Sequence, residues 1–216
     1  MTIWAIIPVK PLRDSKSRLA HILTPDQRAE LTSHLLQRTL HAIRESEQIY
    51  RTLVISRDPA VLKLARQEGV FTFNEGDRQG LNQAVTRAAG VTAARRADSI
   101  LILPADLPFI TAEDIVKLTF PLPADTEQAP PQAIICPDLE FEGTNALLLS
   151  PPLEFTFQYG VGSFHKHRQE ALQRGRQLTT IELPGVQFDV DTEEDWTAYR
   201  VIERHPLPPA PVPYYG

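Results

Sequence analysis

The sequence predicts one α/β domain built on a mixed, mostly parallel sheet flanked by helices. Three observations predict it. Short apolar runs alternate with helix-period segments, which is the signature of parallel βαβ units. The 216 residues suffice for one such domain with a substantial core. Neither an internal repeat nor a domain boundary interrupts the pattern. We expect a domain over residues 1–204 and a Pro-rich tail over 205–216. The chain is strictly βα in its early part and richer in strands after about residue 130.

"IWAIIPV" (3–9) reads as a first strand, unbroken in hydrophobicity and so covered on both faces. A basic loop, "KPLRDSKSR", follows. Thr24, Pro25 and Gln27 form a capping-box start for a helix whose apolar positions Leu31, Leu35, Leu36, Leu40 and Ile43 recur at helical spacing. "RTLVIS" (51–56) is a second strand, and Asp58, Pro59 and Gly69 bracket a second helix. "VFTF" is a short third strand, after which two glycines lead into the helix of "GLNQAV". "SILILPA" (99–105) is the strongest strand, with Thr111 capping the helix beyond it. After the loop "PLPADTEQAPPQ", "AIICPD" (133–138) and "NALLLS" (145–150) are strands joined by "LEFEGT". A helix beginning at Gly160 runs to Gly175, with Ser163 as its expected cap. "LTTIEL" and the short "VQFDVD" read as strands, and Thr192 with Asp195 opens the last helix.

Composition narrows the function classes. A hydrophobic fraction of 42% and a charged fraction of 23% are ordinary for a soluble globular protein. A net charge of −5 gives no nucleic-acid footprint. The six His show no metal-ligand spacing. Cys136 is a single cysteine in apolar company, read as a buried small hydrophobe in a reducing compartment. No run approaches the ~20 apolar residues of a membrane helix, and no signal peptide is evident. These features predict a cytoplasmic protein without membrane or nucleic-acid partners. The tail "HPLPPAPVPYYG" holds five of the 19 prolines and is expected to be extended.

Three constellations can carry chemistry. Asp106 in "ILPADLPFI" is a lone carboxylate between Pro104 and Pro108, at the end of the strongest strand. A turn would explain it; so would the ligand-binding edge of an open α/β sheet, outside the carboxyl ends of its strands. Asp189 and Asp191 in "FDVDT" would face the same side of a strand. Two like charges on one face favour a hard cation such as Mg²⁺, which takes carboxylate and phosphate oxygens. Alone, that motif is better read as a helix cap with an exposed neighbour; together with Asp106 it favours a metal site.

The second constellation is the first βα loop, where Lys10, Arg13, Lys16 and Arg18 would project over the ligand edge and neutralise polyphosphate. Neither GxGxxG nor GxxxxGK[ST] occurs, which excludes the dinucleotide and P-loop modes. The third joins Thr144 of "EGTNALLL" to Gly160 and Ser163 of "YGVGSFHKH". There, free N–H groups at a helix start and nearby hydroxyls suit an anion, and His165, Lys166, His167 and Arg168 make the helix end electropositive. Simple helix capping explains Ser163 equally well.

Taken in order, "IIPVKPLRDSKSRLA", "ISRDPAVLKLA", "GLNQAV", "ILPADLPFIT", "GTNALLLSPP", "YGVGSFHKH" and "FDVDTEEDW" resemble a known family. They are similar to the guanylyltransferases that join GMP to phosphoenolpyruvate or 2-phospho-L-lactate on the route to coenzyme F(420). The resemblance runs from Ile3 to about Arg200. It implies a single-domain, Rossmann-like nucleotidyltransferase of the glycosyltransferase-A type that uses Mg²⁺, GTP and a small phosphorylated carboxylic acid. The family's metal-binding acids fall on Asp106, Asp189 and Asp191. Its acceptor contacts fall on Thr144, Gly160 and Ser163. Lys10, Lys16 and Arg18 match the pattern near the GTP phosphates, and Asn82 is expected near guanine or ribose. In place of the Gly-rich loop of broader nucleotidyltransferases stands "KPLRDSKSR", which is this family's own pattern. The alternatives are transfer to another acceptor, such as 3-phosphoglycerate, a sugar phosphate or a molybdenum cofactor, and a non-catalytic nucleotide-binding protein. The intact acid trio argues against the last.

Overall fold

A computed structural model describes residues 1–76, 80–122 and 129–204; the expected Pro-rich tail lies outside the described residues. Seven strands form one sheet in the order β3-β2-β1-β4-β6-β5-β7. They are β1 (Ile3–Pro8), β2 (Arg51–Ser56), β3 (Phe71–Asn74), β4 (Ser99–Ile102), β5 (Gln132–Pro137), β6 (Thr144–Ser150) and β7 (Gln177–Thr180). The first four are mutually parallel. β6 runs antiparallel to both β4 and β5, and β7 lies parallel to β5. The short β5–β6 connection forces the reversal, because parallel neighbours need a long crossover. From β1 the chain proceeds outward to β2 and β3, then returns to place β4 on the other side of β1. A crevice therefore opens beyond the carboxyl ends of β1 and β4.

The helices are α1 (Pro25–Ser46), α2 (Pro59–Gln67), α3 (Leu81–Ala94), α4 (Ala112–Thr119), α5 (Ser163–Gln173), α6 (Pro184–Gln187) and α7 (Glu193–Arg204). Side chains of β1 alternate between two cores: Ile3, Ala5 and Ile7 join α1, α2 and α4 on one face, while Trp4 and Ile6 join α3 and α5 on the other. Burial on both faces is why β1 reads as an unbroken apolar run rather than an alternating one. A third cluster, with Leu19, Leu31, Leu35, Val190 and Tyr199, docks α7 and the chain before it.

The predicted caps form at α1, where Thr24 and Gln27 bond reciprocally, at α2, where Asp58 accepts from the Ala60 amide, and at Thr111 of α4. Thr192 and Asp195 exchange the same pair of bonds ahead of α7.

Four expectations are corrected. β4 ends at Ile102 because Pro104 has no N–H to give a neighbour, although the Leu103 amide still reaches the Ile6 carbonyl at 3.1 Å. β7 stops at Thr180, since Pro184 starts α6. "VQFDVD" is not a strand: Val186 and Gln187 close α6, and the chain continues irregularly through Asp189 and Asp191. This turn of helix fits because Gly185 lies where a Cβ would come within 2.5 Å of the Asp114 carboxylate and 2.6 Å of the Phe109 carbonyl. Finally, α5 begins at Ser163 and its cap is Gly162, at φ 68°, not Ser163.

Candidate active site

The crevice holds a cavity of about 450 Å³. Lys10 and Lys16, from the loop after β1, line it, as do Ala105, Asp106 and Asp191. Ile55 in β2 and Arg57 just after it, Glu75 after β3, and Gly80, Leu81 and Ala84 at the start of α3 also line it. Of the basic loop, Arg13 turns to Asp26 at 2.9 Å, and Arg18 is exposed, with its Nη1 3.8 Å from Asp191.

Asp106, Asp189 and Asp191 each offer a carboxylate oxygen, all within 4.8 Å of one another. Three oxygens so spaced suit a hard divalent cation. Local devices bring them together. Asp106 follows β4 past Pro104, and its carbonyl accepts from the Val190 amide at 3.3 Å. Val190 is buried in the third cluster, so the two acids flanking it are held near the crevice although no strand contains them. The Asp195 carboxylate takes the amides of Asp191 (3.0 Å) and Thr192 (2.7 Å), fixing the backbone of the third acid.

Between these acids lies Lys16. Its ammonium donates to Asp106 Oδ2 at 2.6 Å and to Asp191 Oδ1 at 3.1 Å, and its side chain is only 4% exposed. Burial pulls this lysine's proton affinity down, but the two carboxylates outweigh it and hold it above its ordinary value. Burial also opposes ionisation of Asp191, yet Lys16 keeps that carboxyl below its usual range. Asp189 has no such partner. Burial, then the nearby Asp106 charge, pushes its carboxyl up to about 7, against the bond from Asn145. The Lys16 backbone is left-handed (φ 53°, ψ 40°), a conformation that costs a non-glycine residue about 1 kcal/mol or more. Arg28 steadies the loop, its buried guanidinium donating to the Ser15 carbonyl at 2.8 Å.

Thr144, Gly160 and Ser163, expected at an acceptor site, do not line the cavity; their arrangement begins at β6. The β5–β6 ladder pairs Cys136 with Ala146 but Pro137 with Thr144, leaving Asn145 as an extra residue. Such a bulge reverses the alternation of side chains. Ala146 and Leu148 face the core under α4 and α6, so a regular strand would send Thr144 there too. Instead Thr144 faces α5, with its Oγ1 3.0 Å from His167 Nδ1 and 3.3 Å from Ser163 Oγ. Asn145 turns to the opposite side, where its amide donates to the Val186 and Gln187 carbonyls at 3.0 Å and to Asp189 Oδ1 at 3.2 Å. One bulge thus aims one residue at Ser163 and His167 of α5 and its neighbour at the acid cluster.

The amides at the start of α5 are less free than the sequence suggested. Ser163 N–H donates to the Gly160 carbonyl and Phe164 N–H to the Glu142 carbonyl, each at 3.0 Å. His167 adds no positive charge, because burial holds its imidazole down to about 4. Lys166 bends back to the Val161 carbonyl at 2.7 Å. Asn82 lies at the first turn of α3, beside the crevice, but its side-chain amide is engaged: it accepts from the Tyr159 amide at 2.7 Å and donates to the Tyr159 carbonyl at 3.2 Å. It joins α3 to the segment that ends at Gly160.

The family described as guanylyl transferase CofC like matches residues 3–201. The chain belongs to the CofC-like guanylyl transferase family. A phosphoenolpyruvate guanylyltransferase of Rubrobacter xylanophilus is 42% identical over 195 residues, covering 90% of this chain and 92% of that protein. A second, from Sphaerobacter thermophilus, is 37% identical over 90% of this chain and 91% of its own. The fold is shared with 4-diphosphocytidyl-2C-methyl-D-erythritol synthase of Anaerococcus prevotii (TM-score 0.64, 10% identity, 94% of this chain and 99% of that one). A cytidylyltransferase of Leptospira borgpetersenii gives a TM-score of 0.60 at 12% identity, covering 94% and 87%. These two show the nucleotidyltransferase fold.

Within this CofC-like site, four residues escape a reading of the sequence: Asn145, Arg28, Arg57 and Glu75. Asn145 had one visible signal, an amide at the head of a strand that is otherwise apolar up to Ser150. The others look like ordinary surface charges, and only the fold turns them toward the crevice or the loop beside it. Cys136 is fully buried in the first core, where burial pushes its thiol up to about 11, in keeping with an inert hydrophobe. Among the described residues, no helix is long and apolar enough to cross a membrane.

Proposed function

We propose that this protein transfers GMP from GTP to the phosphate of phosphoenolpyruvate, on the route to coenzyme F(420), and releases pyrophosphate. An acceptor phosphate oxygen attacks the α-phosphorus in line. A new P–O–P linkage forms as the bond from the α-phosphorus to the bridging oxygen breaks, and that oxygen leaves with the β- and γ-phosphates. The acceptor phosphate is already an anion near neutral pH, so no base is required. The obstacle is the meeting of two polyanions.

The residues present fit a divalent metal, with Asp106, Asp189 and Asp191 as ligands. Bound there, Mg²⁺ would supply charge neutralisation and orientation of phosphate oxygens. Lys10, lining the cavity, and Lys16 supply positive charge for the departing pyrophosphate, with Arg18 at the rim. Thr144 and Ser163 give hydroxyls to the acceptor, next to the backbone of Gly160. Asn82 acts through the Tyr159 backbone rather than on the base. The base and ribose go toward Ile55, Glu75 and Leu81, lining residues contributed by β2, the loop after β3 and the start of α3.

The observation that carries this reading is an acid trio of which Asp106 and Asp191 line a nucleotide-sized cavity, with Asp189 clustered behind them, in a chain 42% identical to a phosphoenolpyruvate guanylyltransferase. The test is Mg²⁺-dependent pyrophosphate release from GTP, with phosphoenolpyruvate, 2-phospho-L-lactate and 3-phosphoglycerate supplied separately. Phosphoenolpyruvate should give the highest kcat/KM. Turnover only with 2-phospholactate reassigns the acceptor, and release with none of the three overturns the proposal.

A further inference from the structure

The pairing around His167 fixes more than packing. Its ring is wholly buried (0% exposed), and both nitrogens are engaged. The Gln158 backbone N–H points at Nε2 from 2.9 Å. A backbone amide can only donate, so Nε2 must carry a lone pair. In the neutral ring the proton then resides on Nδ1. Burial, partly opposed by Glu170, keeps the ring neutral well below pH 7.

Nδ1–H faces Thr144 Oγ1 at 3.0 Å, so the imidazole donates and the threonine accepts. That direction settles the accounting for the two hydroxyls. Thr144 and Ser163 own two O–H protons between them, and the 3.3 Å contact they share can use one. The imidazole takes none. One O–H donor is left over, buried beside the Gly160 backbone. Had the ring been the other tautomer, Thr144 would have given its proton to Nδ1 and the pair would have had none to spare. A surplus donor in a buried hydroxyl pair is what an anionic oxygen requires, and bonds to charged groups are the stronger ones.

We propose that His167 is the positioning residue of the acceptor site: by donating from Nδ1 it turns the Thr144–Ser163 pair into a net hydrogen-bond donor for the acceptor's anionic oxygens. This rests on the reading of Thr144 and Ser163 as acceptor contacts. The same ring, through Gln158, also pins the segment that Asn82 holds at Tyr159, so one buried side chain aligns hydroxyls and backbone together. Tyr159 packs edge-on against it at 4.7 Å and restrains its rotation.

The test has two parts. Long-range ¹⁵N–¹H NMR of the wild-type protein reads the tautomer directly. The expected result is a neutral ring protonated at Nδ1 from pH 6 to 8; a proton on Nε2, or a charged ring, overturns the inference whatever the substrate. Kinetics then compare H167F, which has no N–H, with H167N, whose side-chain amide nitrogen can take the place of Nδ1. For H167F the KM for phosphoenolpyruvate should rise about 10- to 100-fold, the loss of one donor to an anion, with the KM for GTP within about twofold. H167N should recover most of that loss. Equal rises in both KM values, or no recovery in H167N, mark a merely structural histidine and overturn the inference while the function stands. If the wild-type protein uses none of the three phosphorylated acids, the functional reading falls, and the inference with it.

Discussion

Replacing Asp189 by Asn should make the metal-free protein more stable while destroying its activity. The wild-type carboxyl titrates near 7 in the fold because burial and the Asp106 charge resist its ionisation, against about 3.9 in an unfolded chain. The folded value is raised, so the native state keeps a proton that the unfolded state has lost between those limits. The stabilisation from this group is therefore fully present below about pH 4 and lost as pH rises through about 7. At about 1.4 kcal/mol per tenfold change in proton affinity, the loss is at most about 4 kcal/mol; screening by water at this partly exposed group reduces it to about 1–2 kcal/mol. Asn has no proton to lose, and its oxygen can still accept the bond that Asn145 gives to Asp189 at 3.2 Å.

Urea unfolding in EDTA at pH 5, 6, 7 and 8 checks this. Asp191, held below its usual range, titrates beneath that window and does not confuse the reading. Wild-type stability should gain less from pH 5 to pH 8 than that of D189N, and the variant should lead at pH 8 by about 1–2 kcal/mol, equivalent to a few degrees in melting temperature. Saturating Mg²⁺ should reverse the order, since a ligand at 100 times its Kd adds about 2.7 kcal/mol to the protein that binds it. A D189N protein less stable than wild type at pH 8 without metal, or stabilised by Mg²⁺ as much as wild type, refutes the reasoning.

Three other perturbations separate the parts of the site. D106N should lose about 100-fold or more in turnover with GTP binding largely kept, as read by nucleotide titration beside steady-state kinetics. N82A removes both bonds to the Tyr159 backbone, whose groups are partly buried; unfolding should show a loss of about 1 kcal/mol, and the acceptor KM should rise more than that for GTP. Cys136, buried with its thiol held up to about 11, should resist a thiol reagent at pH 8 in the native protein and react at once in urea.

What the sequence made legible was whatever local rules control. Caps at Thr24, Asp58, Thr111 and Thr192 announce themselves within three residues, and β1 declares its double burial through composition alone. The three acids were visible as candidates only in combination: a turn explains Asp106 and a helix cap with an exposed neighbour explains Asp189 and Asp191, but together, and in the family's order, they favour a metal site. Their arrangement was not visible in physical terms. Residues two apart on a strand share a face, and that argument paired Asp189 with Asp191; but no strand is present, and buried Val190 between them does the aligning. Thr144 was picked for its hydroxyl, yet its direction depends on a single extra residue in the β5–β6 ladder, a feature without periodicity to betray it.

Lys16 shows the limit most clearly. By charge and spacing alone it is one of several cations in a loop, on a par with Arg13, which faces solvent and Asp26; only the family resemblance set it apart, together with Lys10 and Arg18. Its ion pairs span 90 and 175 positions along the chain, so no local rule can select it. Once folded, it answers a problem the acid trio creates. Three carboxyl groups in a half-buried crevice repel one another, and before any metal arrives the fold has two ways of reducing that charge. One is to keep a proton on Asp189; the other is to bury an ammonium against Asp106 and Asp191. Both are present, and the division is geometric: the acids within reach of Lys16 Nζ are paired with it, and the one beyond its reach holds its proton. An arginine in place of Lys16 would keep the charge, but its planar fork cannot converge on two carboxylates as a compact ammonium does. K16R should therefore leave Asp106 and Asp191 poorly neutralised, and its stability in EDTA should fall with rising pH more steeply than that of the wild type.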